Sequence, residues 1–252
     1  MIQMLQARSG VRYAISGKAS KKPAPLFVNL ASGLDGTLKS EIYGVVGQIL
    51  EKKGFLSATF DAPSHGTAQR KGEPPGLDGW RSRLEKGEPL IEDFNDRARD
   101  VLDDLIDSGR VDPHRIAVCG VSRYGFMALH FAAADPRVKC AVAIAPVTHL
   151  PALREFRGME PHAPTRQLSL SRLAPKLAGL PIWMVIGNAD DRVDTSRAIE
   201  FADRVIEESS IQGKPCKMEL HVVEAPGHAH PTASLGPVAP WIVSHLSQAG
   251  EA

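Results

Sequence analysis

Acyl transfer needs an oxygen or sulfur nucleophile and an imidazole to take its proton. It also needs a carboxylate to fix the imidazole tautomer, and donors for the developing oxyanion. Three stretches of this 252-residue chain carry such groups, in the order Ser, Asp, His. They are Gly120-Val121-Ser122-Arg123-Tyr124-Gly125, Asn188-Ala189-Asp190-Asp191-Arg192-Val193 and Pro226-Gly227-His228-Ala229-His230. A fourth stretch, Ser32-Gly33-Leu34, opens a glycine-rich loop. A serine in a strand-to-helix turn has a plainer use as a helix cap. The argument for chemistry therefore rests on joint placement, not on the G-x-S-x-x-G pattern alone.

Each of these groups follows a run that reads as a strand. Leu26 to Ala31, the apolar run from Arg115 to Val121 and Pro181 to Gly187 have the composition of buried strands, and Met218 to Val223 reads as a last strand. Phe55 to Phe60 and Val138 to Ile144 read the same way, and Val11 to Ser16 reads as an edge strand. Between them lie helical patterns. Glu41 to Lys52 places Ile42, Val45, Val46, Ile49 and Leu50 on one face and stops at Gly54. Further helices are expected over Ile91 to Ser108, Phe126 to Ala134, up to about Ser209, and Ala233 to Ser247, with a turn at Val111-Asp112-Pro113-His114. Strands alternating with helices argue for one α/β domain over residues 1–252, with a mostly parallel, doubly wound sheet covered on both faces. Ligands of such sheets bind outside the carboxyl ends of the strands, where all four stretches fall.

Two segments, 61–90 and 147–180, are too long for ordinary connections and are expected to form a small cap that sets substrate size. The near-balanced charge, +1, gives no broad attraction to nucleic acid or anionic membranes. No apolar run is long enough to cross a bilayer, and residues 1–19 lack the basic-then-apolar layout of a secretory signal. The three cysteines are isolated, without a Cys-x-x-Cys or zinc-like cluster, so reduced thiols and a cytoplasmic location are the expectation.

With this order of groups at strand ends, the chain resembles the α/β-hydrolase family from about Leu26 onward. It is most similar to compact dienelactone-hydrolase and prolyl-oligopeptidase-like esterases, whose elbow often reads G-x-S-R-G-G. Gly120 to Gly125 matches except at Tyr124, which stands where those relatives carry a glycine for close helix–strand packing. Gly187-x-x-Asp190-x-x-Val193 is similar to the family's acid loop, Gly227-His228 to its histidine loop, and Asp61-Ala62-Pro63-Ser64-His65-Gly66 to a loop after the preceding strand. The resemblance implies Ser122 as nucleophile, His228 as base and then acid, and Asp190 as orienting acid. It implies backbone N–H groups of Arg123 and Leu34 as the oxyanion hole, with Gly33 the alternative because Ser32-Gly33 replaces the usual His-Gly. No metal or organic cofactor is required.

Other residues have local readings. Asp191 and His230 are the rival acid and base. Tyr124, His65 and Trp80 are candidates for substrate contact, Trp80 as a lid residue or only a loop anchor. His130 reads as a packed helix histidine. Arg154, Arg157, Arg166 and Arg172 read as a solvated face. The expected activity is hydrolysis of a small-molecule carboxylic ester by a monomer or homodimer. Rival readings are a peptidase or amidase, a thioesterase or an acyltransferase on the same triad, and a ligand-binding protein on a hydrolase scaffold. A peptidase of the prolyl-oligopeptidase type usually carries an N-terminal propeller, for which this chain has no room. A dinucleotide-binding protein is disfavoured, since no G-x-G-x-x-G follows the first strong strand.

Overall fold

A computed structural model describes all residues except 1, 19, 35, 161, 230, 231 and 249–252. Its frame is one eight-stranded sheet. The strands are β1 (Gln3–Gln6), β2 (Arg12–Ser16), β3 (Ala24–Leu30), β4 (Leu56–Phe60), β5 (Val111–Val121), β6 (Val138–Ile144), β7 (Ile182–Ala189) and β8 (Met218–Pro226). They lie in the order β1-β2-β4-β3-β5-β6-β7-β8. β1 and β2 pair antiparallel, as do β2 and β4, and every later pairing is parallel. The central strands are buried on both faces, which is why their sequences are continuous apolar runs.

The helices α1 (Val45–Glu51), α2 (Gly76–Glu85), α3 (Leu90–Asp107), α4 (Arg123–Ala134), α5 (Ala163–Gln167), α6 (Ala174–Leu177), α7 (Thr195–Ile211) and α8 (Val238–Gln248) follow in chain order. One face of the sheet buries Val46 and Leu50 of α1 with Val238, Ile242 and Leu246 of α8. The other buries Phe94, Val101 and Leu105 of α3, Phe126 and Leu129 of α4, and Phe201 and Val205 of α7. No described helix is long and apolar enough to cross a membrane. Cys119 and Cys140 are buried free thiols and Cys216 is exposed. Burial pushes the Cys119 thiol up to about 12, which leaves it inert.

Gln3–Gln6 is a strand that the sequence does not single out, since it is largely exposed and carries no alternation. Two expectations need correction. Val111 to His114 is not a turn before β5 but its beginning. Val111 pairs with Ala24 and Ile116 with Leu26, so residues 112–115 bulge out of the ladder, where Pro113 needs no partner for the N–H it lacks. The helix expected from Glu41 begins only at Val45.

The first insertion holds a helix, α2, that its Pro, Gly and charge content hid. That helix is fixed by a buried cation. The Arg83 side chain, 3% exposed, donates from Nε and Nη2 to Glu73 at 2.5 and 3.2 Å, and from Nη1 to Asp93 at 2.5 Å. Burial alone would raise the Glu73 carboxyl, but hydrogen bonds from Arg83 and from the Arg70 N–H, with the Arg83 charge, hold it down at about 2. The second insertion is a chain of short helical turns. The two segments meet where Arg81 Nη1 donates to the carbonyls of Glu155 and Arg157, at 2.9 and 3.2 Å.

Candidate active site

The sharpest backbone feature of the chain is the junction of β5 and α4. Ser122 has φ 55° and ψ −121°, a positive φ that a non-glycine residue adopts only when its surroundings enforce it. They do so on both sides. The Ser122 N–H donates to the Ile144 carbonyl at 2.8 Å, and the Ser122 carbonyl accepts from the Gly125 and Val147 N–H groups at 2.9 and 3.1 Å. A Cβ on Gly120 would lie 2.2 Å from the Tyr124 carbonyl oxygen, and one on Gly125 would lie 2.8 Å from Pro146 Cβ. Both glycines are therefore required for so tight a turn. The Tyr124 backbone forms the close contact with Gly120, but its side chain does not. Its side chain runs away from the turn into the interior, 1% exposed, with its ring 5.4 Å from that of His65.

The other two groups arrive from the ends of β7 and β8. The Asp190 side chain is fully buried, and its Oδ1 accepts from the N–H groups of Arg192 and Val193 at 3.0 and 3.1 Å. Thr195 pins the loop, its Oγ1 donating to the Gly187 carbonyl at 2.6 Å and accepting from the Asp190 N–H at 3.2 Å. Asp190 Oδ2 lies 2.7 Å from His228 Nδ1, and His228 Nε2 lies 3.0 Å from Ser122 Oγ. A carboxylate on one ring nitrogen and a hydroxyl on the other leaves Nε2 unprotonated and facing the hydroxyl hydrogen. Asp191 is exposed and outside this chain of bonds. His230 lies outside the described residues.

These groups open on a cleft of about 270 Å³, lined among others by Ser32, Leu77, Ser122, Arg123, Leu153, Arg192 and His228. The Arg123 N–H begins α4, where the first amides of a helix have no intrahelical acceptor. Leu34 is different. Its N–H donates to Asp61 Oδ1 at 2.8 Å, and Asp61 Oδ2 accepts from the N–H and Oγ1 of Thr67 at 2.7 and 2.8 Å. The buried Asp61 carboxylate thus joins the loop after β3 to the loop after β4. A Leu34 N–H spent on a carboxylate is not a donor for substrate, and that expectation is corrected. Gly33, at φ 87°, packs its Cα against the same carboxylate.

Trp80, Tyr124 and His65 do not line the cleft. Trp80 is fully buried and donates from Nε1 to the Pro63 carbonyl at 2.7 Å, so it anchors its loop and is not a lid residue. His65 Nδ1 bonds the same carbonyl at 2.8 Å, and the ring sits between those of Trp80 and Tyr124. Burial lowers its pKa and keeps it neutral. His130 is packed, as expected. Its Nε2 donates to the Leu168 carbonyl at 3.0 Å, and burial lowers its pKa to about 4. Arg154, Arg157, Arg166 and Arg172 are exposed and none lines the cleft. Two residues that composition does not single out, Asp61 as a tether and Arg192 on the cleft wall, emerge only from the fold.

The arrangement agrees with the likenesses to known proteins. No curated protein matches the sequence. Among solved structures, a protein of Thermus thermophilus superposes with a TM-score of 0.70 at 21% identity, covering 98% of this chain and 97% of that one. A cold-adapted esterase from an Arctic intertidal metagenomic library gives 0.66 at 19% identity, covering 97% and 92%. Porphyromonas gingivalis dipeptidyl peptidase 4 gives 0.70 at 15% identity; this chain is covered over 97% but spans only 35% of that one. These likenesses establish the α/β-hydrolase fold. Residues 79–239 match the profile of the prolyl oligopeptidase family. The chain, its sheet and its Ser–His–Asp geometry together place it in the prolyl oligopeptidase family of serine hydrolases.

Proposed function

We propose that this protein is a serine esterase that cleaves small carboxylic esters through an acyl-enzyme on Ser122. The observation that carries this reading is the continuous hydrogen-bonded chain from Ser122 Oγ through His228 to the buried Asp190. In the first half-reaction His228 Nε2 takes the Ser122 proton as Oγ attacks the carbonyl carbon, then returns it to the departing alcohol. In the second, His228 deprotonates a water that releases the acid. Asp190 holds the Nδ1–H tautomer and supports the imidazolium that forms in both steps. The Arg123 N–H is one oxyanion donor. The Ser32 N–H is committed to Thr37 Oγ1 at 3.1 Å and the Leu34 N–H to Asp61, so Gly33 is assigned as the second.

The ester reading takes its support from the similarity to the Arctic esterase. The insertions are assigned as a small cap, since Leu77 from one and Leu153 from the other both face the cleft. The test is a pair of substrates sharing one acyl group, a p-nitrophenyl ester and the matching p-nitroanilide. An esterase turns over the ester and leaves the anilide at background. Comparable kcat/KM on the two would overturn the ester assignment in favour of an amidase or peptidase.

A further inference from the structure

Two arginines, Arg123 and Arg192, line the cleft, and among the described residues that line it there is no acid. The two are not equivalent. Arg192 Nη2 sits between both oxygens of Glu155, 2.8 Å from each, so its charge is offset in place. Arg123 has no such partner. Among the described residues no carboxylate lies within 4.0 Å of its guanidinium. Its Nε is sealed from water without an acceptor, and its Cζ lies 5.8 Å from the centroid of the Tyr124 ring. Three described acids around the site have other partners. Asp190 serves His228, Asp61 serves the Leu34 and Thr67 amides, and Glu155 serves Arg192.

A cation left uncompensated on a cleft wall beside a nucleophile has a chemical consequence. Its field concentrates anions in the cleft, and its planar fork of N–H donors matches a carboxylate better than any neutral group. Resting on the serine-esterase reading above, we infer that the substrate carries a carboxylate and that Arg123 is the residue that selects it. Position limits where that carboxylate sits. Arg123 directly follows Ser122, with Cα atoms about 3.8 Å apart, so its side chain reaches only groups a few bonds from the scissile carbonyl. A monoester of a short dicarboxylic acid fits that limit. Arg192, locked to Glu155, closes the wall and contributes little discrimination.

The test compares kcat/KM on the mono-p-nitrophenyl ester of glutaric acid and on p-nitrophenyl valerate, which differ by a carboxylate in place of a methyl group. Wild type is expected to favour the charged ester by about tenfold or more, since a bidentate carboxylate contact is strong in a partly buried site. Arg123→Gln is expected to bring the ratio close to one, and Arg123→Lys to keep part of it; raised salt weakens the preference of the wild type. A ratio near one in the wild type, or one unchanged in Arg123→Gln, overturns the assignment while leaving the esterase reading standing. If the wild type cleaves neither ester, the esterase reading falls instead. Glutarate binding, read as a thermal shift, then decides the anion site alone: a shift lost in Arg123→Gln upholds it, and no shift in the wild type overturns it.

Discussion

At the scale of single residues, the site depends on groups that act as a unit. Asp190→Asn preserves the shape of the acid loop but permits the wrong imidazole tautomer, and should lower kcat by about 10³–10⁴-fold. A loss under tenfold in steady-state kinetics would remove Asp190 from the mechanism. Asp61 works at one remove, as a positioning residue holding the loop that carries Gly33 and Leu34. Asp61→Asn retains one carbonyl oxygen but not the second acceptor, so one of the two loops is released. The expected result is a kcat reduced by about ten- to a hundredfold, less than deletion of a full oxyanion donor, with KM little changed. A change in KM alone would make Asp61 a substrate contact. Ser122, Asp190 and His228 were legible as candidates because each lies just after a run that reads as a strand. The state of the Leu34 N–H was not, because its acceptor lies 27 residues along the chain and is brought to it only by the pairing of β3 with β4.

At the scale of elements, burial decided what could be read. β6 runs over Val138–Ile144 as its apolar composition, broken only by Lys139, predicts. β1 is exposed on most positions and owes its conformation to pairing with β2, so its residues carry no pattern. α2 was hidden because its few apolar residues, Leu77, Trp80 and Leu84, lie among Gly, Asp and Arg, and a polar side chain, Arg83, shares its buried face. This gives a stability prediction. Arg83→Met leaves the Glu73 carboxylate, 10% exposed, without its partner, and should destabilise the fold by about 3–5 kcal/mol. Arg83→Met with Glu73→Leu should recover most of that loss, because no buried charge then stands alone. Urea unfolding of the two variants checks it; equal losses in both would show that the pair does not hold α2. Glu73 also sets an acid limit. Its folded pKa, about 2, lies below its ordinary 4.5, so its contribution is complete above pH 4.5 and is lost as the pH falls toward 2.

At the scale of the whole molecule, one mostly parallel sheet delivers four loops to one edge, and the helices that cover it also report on pH. His130 joins α4 to the second insertion through the Leu168 carbonyl. Its folded pKa of about 4 lies below the ordinary 6.5, so the unfolded chain binds a proton that the folded protein refuses. Its contribution is complete above about pH 6.5 and is lost progressively as the pH falls to about 4, by up to roughly 3 kcal/mol. Replacing it by His130→Gln, whose amide can still donate to Leu168, should flatten that part of the stability profile. An unchanged slope between pH 7 and 5 would assign it to other groups. The central claim is that the strained turn and the His228–Asp190 pair make Ser122 an activated nucleophile. Labelling with a small fluorophosphonate, read by intact mass and peptide mapping on wild type and Ser122→Ala, tests this most directly. An activated Ser122 gives one adduct on that residue and none in the variant. Folded wild-type protein that takes up no adduct, or takes it elsewhere, contradicts the mechanism.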